Sequence, residues 1–393
     1  MEKITNQQRL RPWMGFVLFA VLMAYFLTVC VWLQGKFGIP GLIMTEVSFL
    51  AIALFYCLIC RVKIKEVFPI KLPKIRDLFG ALCIYLGAFG LSLVATGIAG
   101  MILPSANEEV SALNNTLYGS MSFPVTLLVV AVTPAICEEA IHRGAILSNF
   151  RSIKKDWIIV LIMALMFGVN HVSFLRFGAT AILGAALSYV VVKKNNMLLS
   201  MLMHFVNNSI SCLAGFYSSK SNVDAGANLD FKQALGAYLI LGFAAPVLIV
   251  LGTMLLDRKN HKPIRFLFAG ILSLVMFLSG IGMTIFNTLK APIMNTTISY
   301  EVTEEDKESS MLDFTIEEDR RATVVVVVSG AKGDYKVRID GDSGSNIINA
   351  DIPQGKIRTI TYQVDLKKDH YTITIESGDN AIGEKPIFQV AIN

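Results

Sequence analysis

The chain has 393 residues, of which 54% are hydrophobic and 17% are charged, and its formal net charge is +5. Soluble globular domains average about 45–50% apolar and about 25% charged residues, so this composition excludes an ordinary soluble domain. The basic residues lie between long apolar runs, and this distribution argues against a nucleic-acid-binding face and indicates a membrane protein.

Nine apolar runs precede residue 290, and a helix needs roughly 20 such residues to cross the hydrocarbon core. The first run follows Arg9 and Arg11, but it is too long for the hydrophobic part of a secretion signal and lacks a small-residue cleavage site. The runs cover about residues 13–35, 40–60, 79–103, 121–150, 157–175, 177–193, 197–217, 233–256 and 265–289. Residues 1–290 are therefore predicted to form a polytopic α-helical membrane domain with about nine transmembrane helices.

The Lys and Arg residues predict which loops face the cytoplasm, because cytoplasmic loops are enriched in these residues. Six of them lie between Arg61 and Arg76, after the second run, whereas the connection at residues 104–120 has none. The alternation continues along the chain and predicts a multi-pass protein of the cell membrane with a cytoplasmic N-terminus. With an odd number of spans, the residues after about 290 are expected outside the cell.

Residues 291–393 have a different pattern, in which short segments alternate apolar and polar residues and are separated by Gly, Asp, Asn and Ser. Some seven such segments predict a C-terminal extracellular all-β sandwich, loosely immunoglobulin-like. All six cysteines lie upstream, in or beside the apolar runs, so the Cys, Trp, Cys signature of immunoglobulin domains is absent from this tail. The tail is expected to act as a spacer or to bind an extracellular partner.

Ionisable and amide side chains cluster in three of the apolar runs, and a charged group at bilayer depth costs roughly 2.5–3.5 kcal/mol and indicates a functional site. With a rise of about 1.5 Å per residue, the three groups lie within about two helical turns of one level near the bilayer midplane. They are Glu138, Glu139, His142 and Arg143 in the fourth run (ICEEAIHRG), His171 in the fifth (FGVNH), and His204, Asn207 and Asn208 in the seventh (HFVNN).

These residue types suit hydrolysis of a peptide bond. A buried glutamate beside histidines can take a proton from water and pass it to a leaving amine, which is the role expected for Glu138 together with His171. His204 and Asn208 are four residues apart and can donate hydrogen bonds to the oxyanion that forms. Pro134, one turn before Glu138, is expected to bend the helix and to free a backbone carbonyl at this depth.

Three motifs carry a resemblance to a known family. EEAIHR at Glu138 to Arg143 fits EExxxR, FGVNH at Phe167 to His171 fits FxxxH, and HFVNN at His204 to Asn208 fits HxxxN. Their order on separate apolar helices resembles the CPBP family of intramembrane glutamic endopeptidases, which includes type II CAAX prenyl proteases and bacteriocin-processing and immunity proteins. The resemblance covers about residues 120–215, and the β tail departs from the family's core.

The resemblance implies proteolysis without a metal ion or another cofactor. It makes Glu138 the activating glutamate, His171 its water-binding partner, and His204 and Asn208 the stabilisers of the oxyanion. Glu139 and Arg143 would be supporting residues, and their spacing of four also fits a purely structural ion pair. His142 is expected to be structural. Prenylated substrates are not implied, because a CAAX substrate is cytoplasmic whereas the tail is expected outside.

Other functions fit the same polar groups. One glutamate and two histidines can bind zinc and activate water, although the HExxH arrangement is absent. A proton-coupled transporter also uses Glu and His clusters, but inverted repeats with matched broken helices are not visible in the sequence. A non-catalytic receptor would leave the cluster unexplained. The expected partners are membrane lipid, a peptide or membrane-protein substrate and an extracellular partner of the tail, and no nucleic acid is expected.

Overall fold

The computed structural model divides the chain into two compact units, Met1–Ile285 and Phe286–Asn393, which are described separately. The residues that the structure describes are 9–103, 106, 109, 117, 121–220, 231–257, 262–289, 293–304, 312–330, 332–344, 346–352 and 358–393.

The first unit is helical. Its helices are α1 Pro12–Phe37, α2 Ile39–Ile59, α3 Ile75–Ile102, α4 Phe123–Ile146, α5 Asp156–Asn170, α6 Phe174–Lys194, α7 Met197–Lys220, α8 Phe231–Leu241, α9 Ala245–Leu256 and α10 Ile264–Leu289, with a short additional helix at Ile64–Val67. Within the described residues, seven of these helices are long and apolar enough to cross a membrane, and the pair α8 and α9 makes an eighth if it is counted as one span. The predicted class of polytopic helical membrane protein is confirmed.

All nine predicted runs are helical, but two of them are not continuous full-length spans. Helix α5 has 15 residues, or about 22 Å, against roughly 30 Å of hydrocarbon core. Helices α8 and α9 bend by 42° at their junction. Pro246, near the start of α9, lacks the N–H that would bond the carbonyl of Gly242 and so interrupts the helix. Seven or eight helices therefore meet the length criterion instead of about nine.

Ion pairs hold several helix ends together on one side of the first unit. Lys193, at the end of α6, pairs with Asp156 at the start of α5 at 2.9 Å and with Asp257 after α9 at 3.0 Å. Lys194 pairs with Asp77 at the start of α3 at 2.6 Å. The positions of the basic residues assign these ends to one side of the membrane, and the structure brings them together. That this side is the cytoplasmic one stays a prediction.

The second unit is an antiparallel β-sandwich, so the predicted all-β architecture is confirmed. The strands are β1 Met294–Ser299, β2 Leu312–Ile316, β3 Arg320–Ser329, β4 Tyr335–Gly341, β5 Asn346–Asp351, β6 Arg358–Leu366, β7 Asp369–Ser377 and β8 Ile387–Ile392. They form two four-stranded sheets in the orders β1-β8-β3-β6 and β2-β7-β4-β5. Alternate residues of each strand point into one apolar core.

The alternation is clearest in β3, where Ala322, Val324, Val326 and Val328 are buried and the residues between them are less so. Strand β5 is the one that the sequence pattern missed. Only its Ile348 and Ala350 are fully buried, and the polar residues around them weaken the apolar pattern.

Candidate active site

Helix α4 is irregular on both sides of the glutamates. The α-helical stretch Thr133–Glu139 lies between the π-helical stretches Leu127–Val132 and Ala140–Ile146, and π-helical insertions are frequent at functional sites. Pro134 has no N–H to give to the carbonyl of Val130, four residues earlier. The side-chain amide of Asn208 on α7 donates to this carbonyl at 2.9 Å. Because the proline lacks an N–H, the carbonyl oxygen of Val130 is left to accept a hydrogen bond that links α4 to α7.

Glu139 and Arg143 form a fully buried ion pair, since both side chains have 0% exposure. Arg143 Nη1 donates to Glu139 Oε1 at 2.8 Å, and Arg143 Nη2 donates to the carbonyl of Gly184 on α6 at 3.2 Å. The guanidinium also lies 4.2 Å from the centre of the Phe167 ring, at a cation–π distance. Because a buried charge is costly unless it is paired and hydrogen-bonded, these contacts explain how both groups are held at bilayer depth.

His204 on α7 connects the two glutamates. Its Nδ1 lies 3.0 Å from Glu139 Oε1, and its Nε2 lies 4.0 Å from Glu138 Oε2. The first distance is that of a hydrogen bond, and the second is too long for one. Glu138 Oε2 is buried and has no hydrogen-bond partner among the described residues. Glu138 therefore presents an uncommitted carboxylate oxygen to the imidazole of His204.

His171 follows the last residue of α5. Its Nδ1 lies 2.9 Å from the carbonyl oxygen of Phe167. A carbonyl oxygen can only accept, so Nδ1 carries the hydrogen and Nε2 of the neutral ring has a free lone pair. An imidazole held in this way can accept a hydrogen bond from a water molecule.

Phe167 is the common neighbour of the histidines. Its ring makes edge-on contacts with His142, His171 and His204, with centroid distances of 5.3, 4.9 and 5.9 Å. Gly184 gives this ring its space, because a Cβ atom there would lie 2.9 Å from Phe167 Cβ. Phe167 and Gly184 thus fix the orientation of the imidazoles, and nothing in the spacing of polar residues indicates the role of Gly184.

The chain turns sharply after His171. Val172 has φ of 46°, a left-handed conformation that is strained for a β-branched residue. The turn is held by Arg176, whose Nη2 donates to the carbonyl of His171 at 3.3 Å, and by Ser173, whose hydroxyl donates to Glu109. Arg176 also pairs with Glu109 at 3.4 Å. These contacts position the backbone that carries His171.

A cavity of about 40 Å³ lies among α3, α5, α6 and α7. His171, His204, Asn207 and Asn208 line its polar side, and most of its other walls are apolar. A water molecule needs at least about 10–15 Å³ of such space, so the cavity has room for more than one. The structure therefore brings three of the four predicted catalytic residues around one cavity.

The remaining predicted residues lie beside this cavity. Glu138 lies 4.0 Å from His204, which lines the cavity. Glu139 bonds both His204 and Arg143, so this buried pair supports the position of His204. His142 is fully buried, and its Nδ1 bonds the backbone carbonyl of Glu138 at 3.0 Å. This arrangement agrees with a structural role for His142. Among the described residues, no group of three or more His, Cys, Asp or Glu side chains has the geometry of a metal site.

Residues 120–210 match the sequence model of the family described as Type II CAAX prenyl endopeptidase Rce1-like. The matched segment contains the three motifs, so the predicted family resemblance is confirmed over this part of the chain, and it supports a multi-pass membrane protease. Comparison with curated proteins gave no match, and comparison with solved structures gave none either.

Proposed function

We propose that this chain, whose residues 120–210 match the type II CAAX prenyl endopeptidases, is an intramembrane glutamic endopeptidase. It hydrolyses a peptide bond with a water molecule that Glu138 and His171 activate, without a metal ion. The observation that carries the proposal is the position of His204, which lines the cavity with His171 and lies 4.0 Å from the free oxygen of Glu138. The proposed base Glu138, the water-binding imidazole of His171 and a cavity that can hold water thus lie close together among apolar helices.

In the proposed reaction, His171 Nε2 accepts a hydrogen bond from the attacking water, and Glu138 takes a proton from it. The water oxygen bonds to the peptide carbonyl carbon, and the electron pair of the C=O double bond moves to oxygen. Asn208 keeps one amide hydrogen after bonding Val130 and can donate it to the oxyanion. The C–N bond then breaks, the amine receives the proton from Glu138, and a carboxylic acid and an amine are released.

Metal independence is a part of the proposal that can be tested separately. Nδ1 of His171 is committed to the carbonyl oxygen of Phe167, so its Nε2 is left to bind the attacking water. We expect EDTA to leave cleavage by the reconstituted protein largely unchanged. Loss of cleavage with EDTA and its recovery with added zinc would favour a zinc protease.

We also propose a topology in which the N-terminus is cytoplasmic and residues 291–393 form an extracellular domain after the membrane domain of residues 1–290. The support is the distribution of basic residues and the ion pairs that join the helix ends assigned to the cytoplasm. Protease added to intact cells should remove the β unit. Protection of the β unit in intact cells, with digestion after lysis, would reverse the topology.

The proposed activity is tested by comparing the membrane peptidomes of cells that carry wild-type protein, Glu138→Gln or Glu66→Gln. Glu66 is a matched control because it is a partly exposed glutamate that pairs with Lys63, away from the site. We expect cleavage products with the wild-type and Glu66→Gln proteins and none with Glu138→Gln. The same products with Glu138→Gln at equal protein levels would contradict the proposal.

A further inference from the structure

Tyr85 lies on α3, and its hydroxyl is buried. The residue is 2% exposed, and its hydroxyl has no hydrogen-bond partner among the described residues. Buried tyrosine hydroxyls usually have a partner, because an unsatisfied polar group costs about 1–3 kcal/mol. Tyr85 also lines the cavity that His171 and His204 line. Its partner is therefore expected inside that cavity.

The depth of Tyr85 agrees with this placement. The starts of α3 and α7 lie near each other, since Lys194, just before α7, pairs with Asp77 in the first turn of α3 at 2.6 Å. The segment that leads into α3 also bonds the start of α7, because the amide of Met197 donates to the carbonyl of Pro69 at 2.7 Å. With about 1.5 Å per residue, Tyr85 lies about 15 Å from the start of α3, and Asn208 lies about 16 Å from the start of α7. The phenol and the amide are thus at one level of the membrane domain.

The other polar groups of the cavity have few free donors. His171 and His204 each donate a hydrogen bond from Nδ1 to a protein oxygen, and Asn208 donates one from its side-chain amide to the carbonyl of Val130. Asn207 donates to the side chain of Asn208 at 3.1 Å. Acyl transfer to water needs donors where negative charge develops. Tyr85 lines this cavity, and its hydroxyl makes no hydrogen bond to the described protein groups.

We propose that Tyr85 is a catalytic residue whose hydroxyl donates a hydrogen bond to the oxygen of the scissile peptide carbonyl as that oxygen becomes negatively charged. This inference rests on the proposed function. Tyr85 keeps its proton throughout, so the bonds that form and break in the hydrolysis are unchanged. The apolar cavity wall formed by Leu183, Leu187 and Met203 strengthens such a hydrogen bond, because electrostatic interactions are stronger in apolar surroundings than in bulk water.

Tyr85→Phe removes the hydroxyl and keeps the ring. Tyr189→Phe is the matched control, because Tyr189 on α6 also has a buried hydroxyl without a partner in the described part of the chain but does not line the cavity. The substrate is a quenched fluorescent peptide that carries a sequence cleaved in the peptidome of wild-type cells and not of Glu138→Gln cells. All variants are assayed in proteoliposomes.

We expect Tyr85→Phe to lower kcat by about 10²-fold and to change KM by less than about threefold, since the lost bond forms in the transition state. Tyr189→Phe should stay within about twofold of wild type. Both Phe variants should melt at or above the wild-type temperature, because each loses an unsatisfied hydroxyl.

The outcomes separate the two proposals. If Glu138→Gln is inactive while Tyr85→Phe is as active as Tyr189→Phe, the role of Tyr85 is wrong and the proposed function stands. A lower melting temperature of Tyr85→Phe with an effect confined to KM would mean a structural role and would also overturn the inference. If Glu138→Gln cleaves like wild type, the proposed function itself fails.

Discussion

Each of the two units buries an arginine, but the groups that accept hydrogen bonds from the two guanidinium groups differ. In the helical unit, Arg143 has 0% exposure and pairs with the equally buried carboxylate of Glu139. In the β unit, Arg358 is 3% exposed and donates to the backbone carbonyls of Lys332 and Gly333. Carbonyls of a loop can hold an arginine without a second buried charge. The helical unit buries a charge pair at bilayer depth, next to His204, which indicates that the pair supports the site.

The ion pairs of the two units also differ in how deeply they are buried. Lys385 and Glu301 of the β unit lie 2.9 Å apart, almost the same distance as Arg143 and Glu139, but their side chains are 69% and 57% exposed. Water screens exposed pairs, so distance alone says little about stability. Burial is therefore expected to decide how much an ion pair contributes to stability, and substitutions in each unit test this expectation.

The largest effect on stability is expected for Arg143→Leu. The substitution leaves Glu139 buried without its partner, and breaking a buried pair in this way costs roughly 3–5 kcal/mol. The measurement is the unfolding of the protein in lipid nanodiscs by denaturant. The double variant Glu139→Gln with Arg143→Leu, which removes both charges, should recover part of the loss. A smaller loss of unfolding free energy for Arg143→Leu than for the loss of an exposed ion pair would contradict this expectation.

An intermediate effect is expected for Glu384→Gln in the β unit. Glu384 accepts hydrogen bonds from the amides of Lys332 and Gly333 and from the hydroxyl of Tyr335, at 2.9 to 3.0 Å. Burial raises the pKa of Glu384, but these donors outweigh it and the pKa lies below its ordinary value. Losing the charge that they bond should cost about 1–3 kcal/mol of local stability.

The pH dependence of this loop's stability follows from the direction in which the pKa of Glu384 is shifted. Because the folded pKa of Glu384 is depressed, its contribution is present above the ordinary glutamate pKa of about 4.3 and is lost as the pH falls through the folded pKa. Amide hydrogen exchange of residues 332–335, corrected for intrinsic rates, should therefore show protection that falls in acid. The Glu384→Gln protein should lack this dependence. Equal pH profiles for both proteins would contradict the assignment.

The smallest effect is expected for Lys385→Met. Its pair with Glu301 is exposed, and hydrogen bonding to Glu301 raises the pKa of Lys385, yet water screens an exposed pair so well that it contributes little to stability. The same exchange experiment on strand β8 should show rates close to wild type. Destabilisation as large as that of Arg143→Leu would mean that burial is not the deciding factor.

The sequence predicts the parts of the fold that depend on local pattern. Long apolar runs indicate the helices, alternation indicates the strands, and Pro134 indicates a free carbonyl, which Asn208 bonds. The end of α5 is not predictable in this way, because nothing in the sequence around Val172 signals its positive φ. The run from 157 to 175 therefore looked longer than the helix is.

The site was predictable only where polar residues stand out from apolar neighbours. Glu138, His171 and His204 are conspicuous for this reason, and their order along the chain carries the family resemblance. Tyr85 and Gly184 are ordinary residues of apolar helices. Their positions depend on packing between helices, since Tyr85 on α3 lines a cavity together with residues of α7, and the carbonyl of Gly184 on α6 accepts a hydrogen bond from Arg143 on α4. Spacing along one helix contains no information about such contacts.

The most direct test of the account is cleavage in water enriched in ¹⁸O by purified wild-type, Glu138→Gln and His171→Ala proteins in proteoliposomes. The substrate is the peptide from the peptidome comparison, and mass spectrometry measures the products. We expect one ¹⁸O atom in the new carboxyl terminus with the wild type, and no cleavage by either folded variant. Cleavage at the wild-type rate by Glu138→Gln or His171→Ala would contradict it.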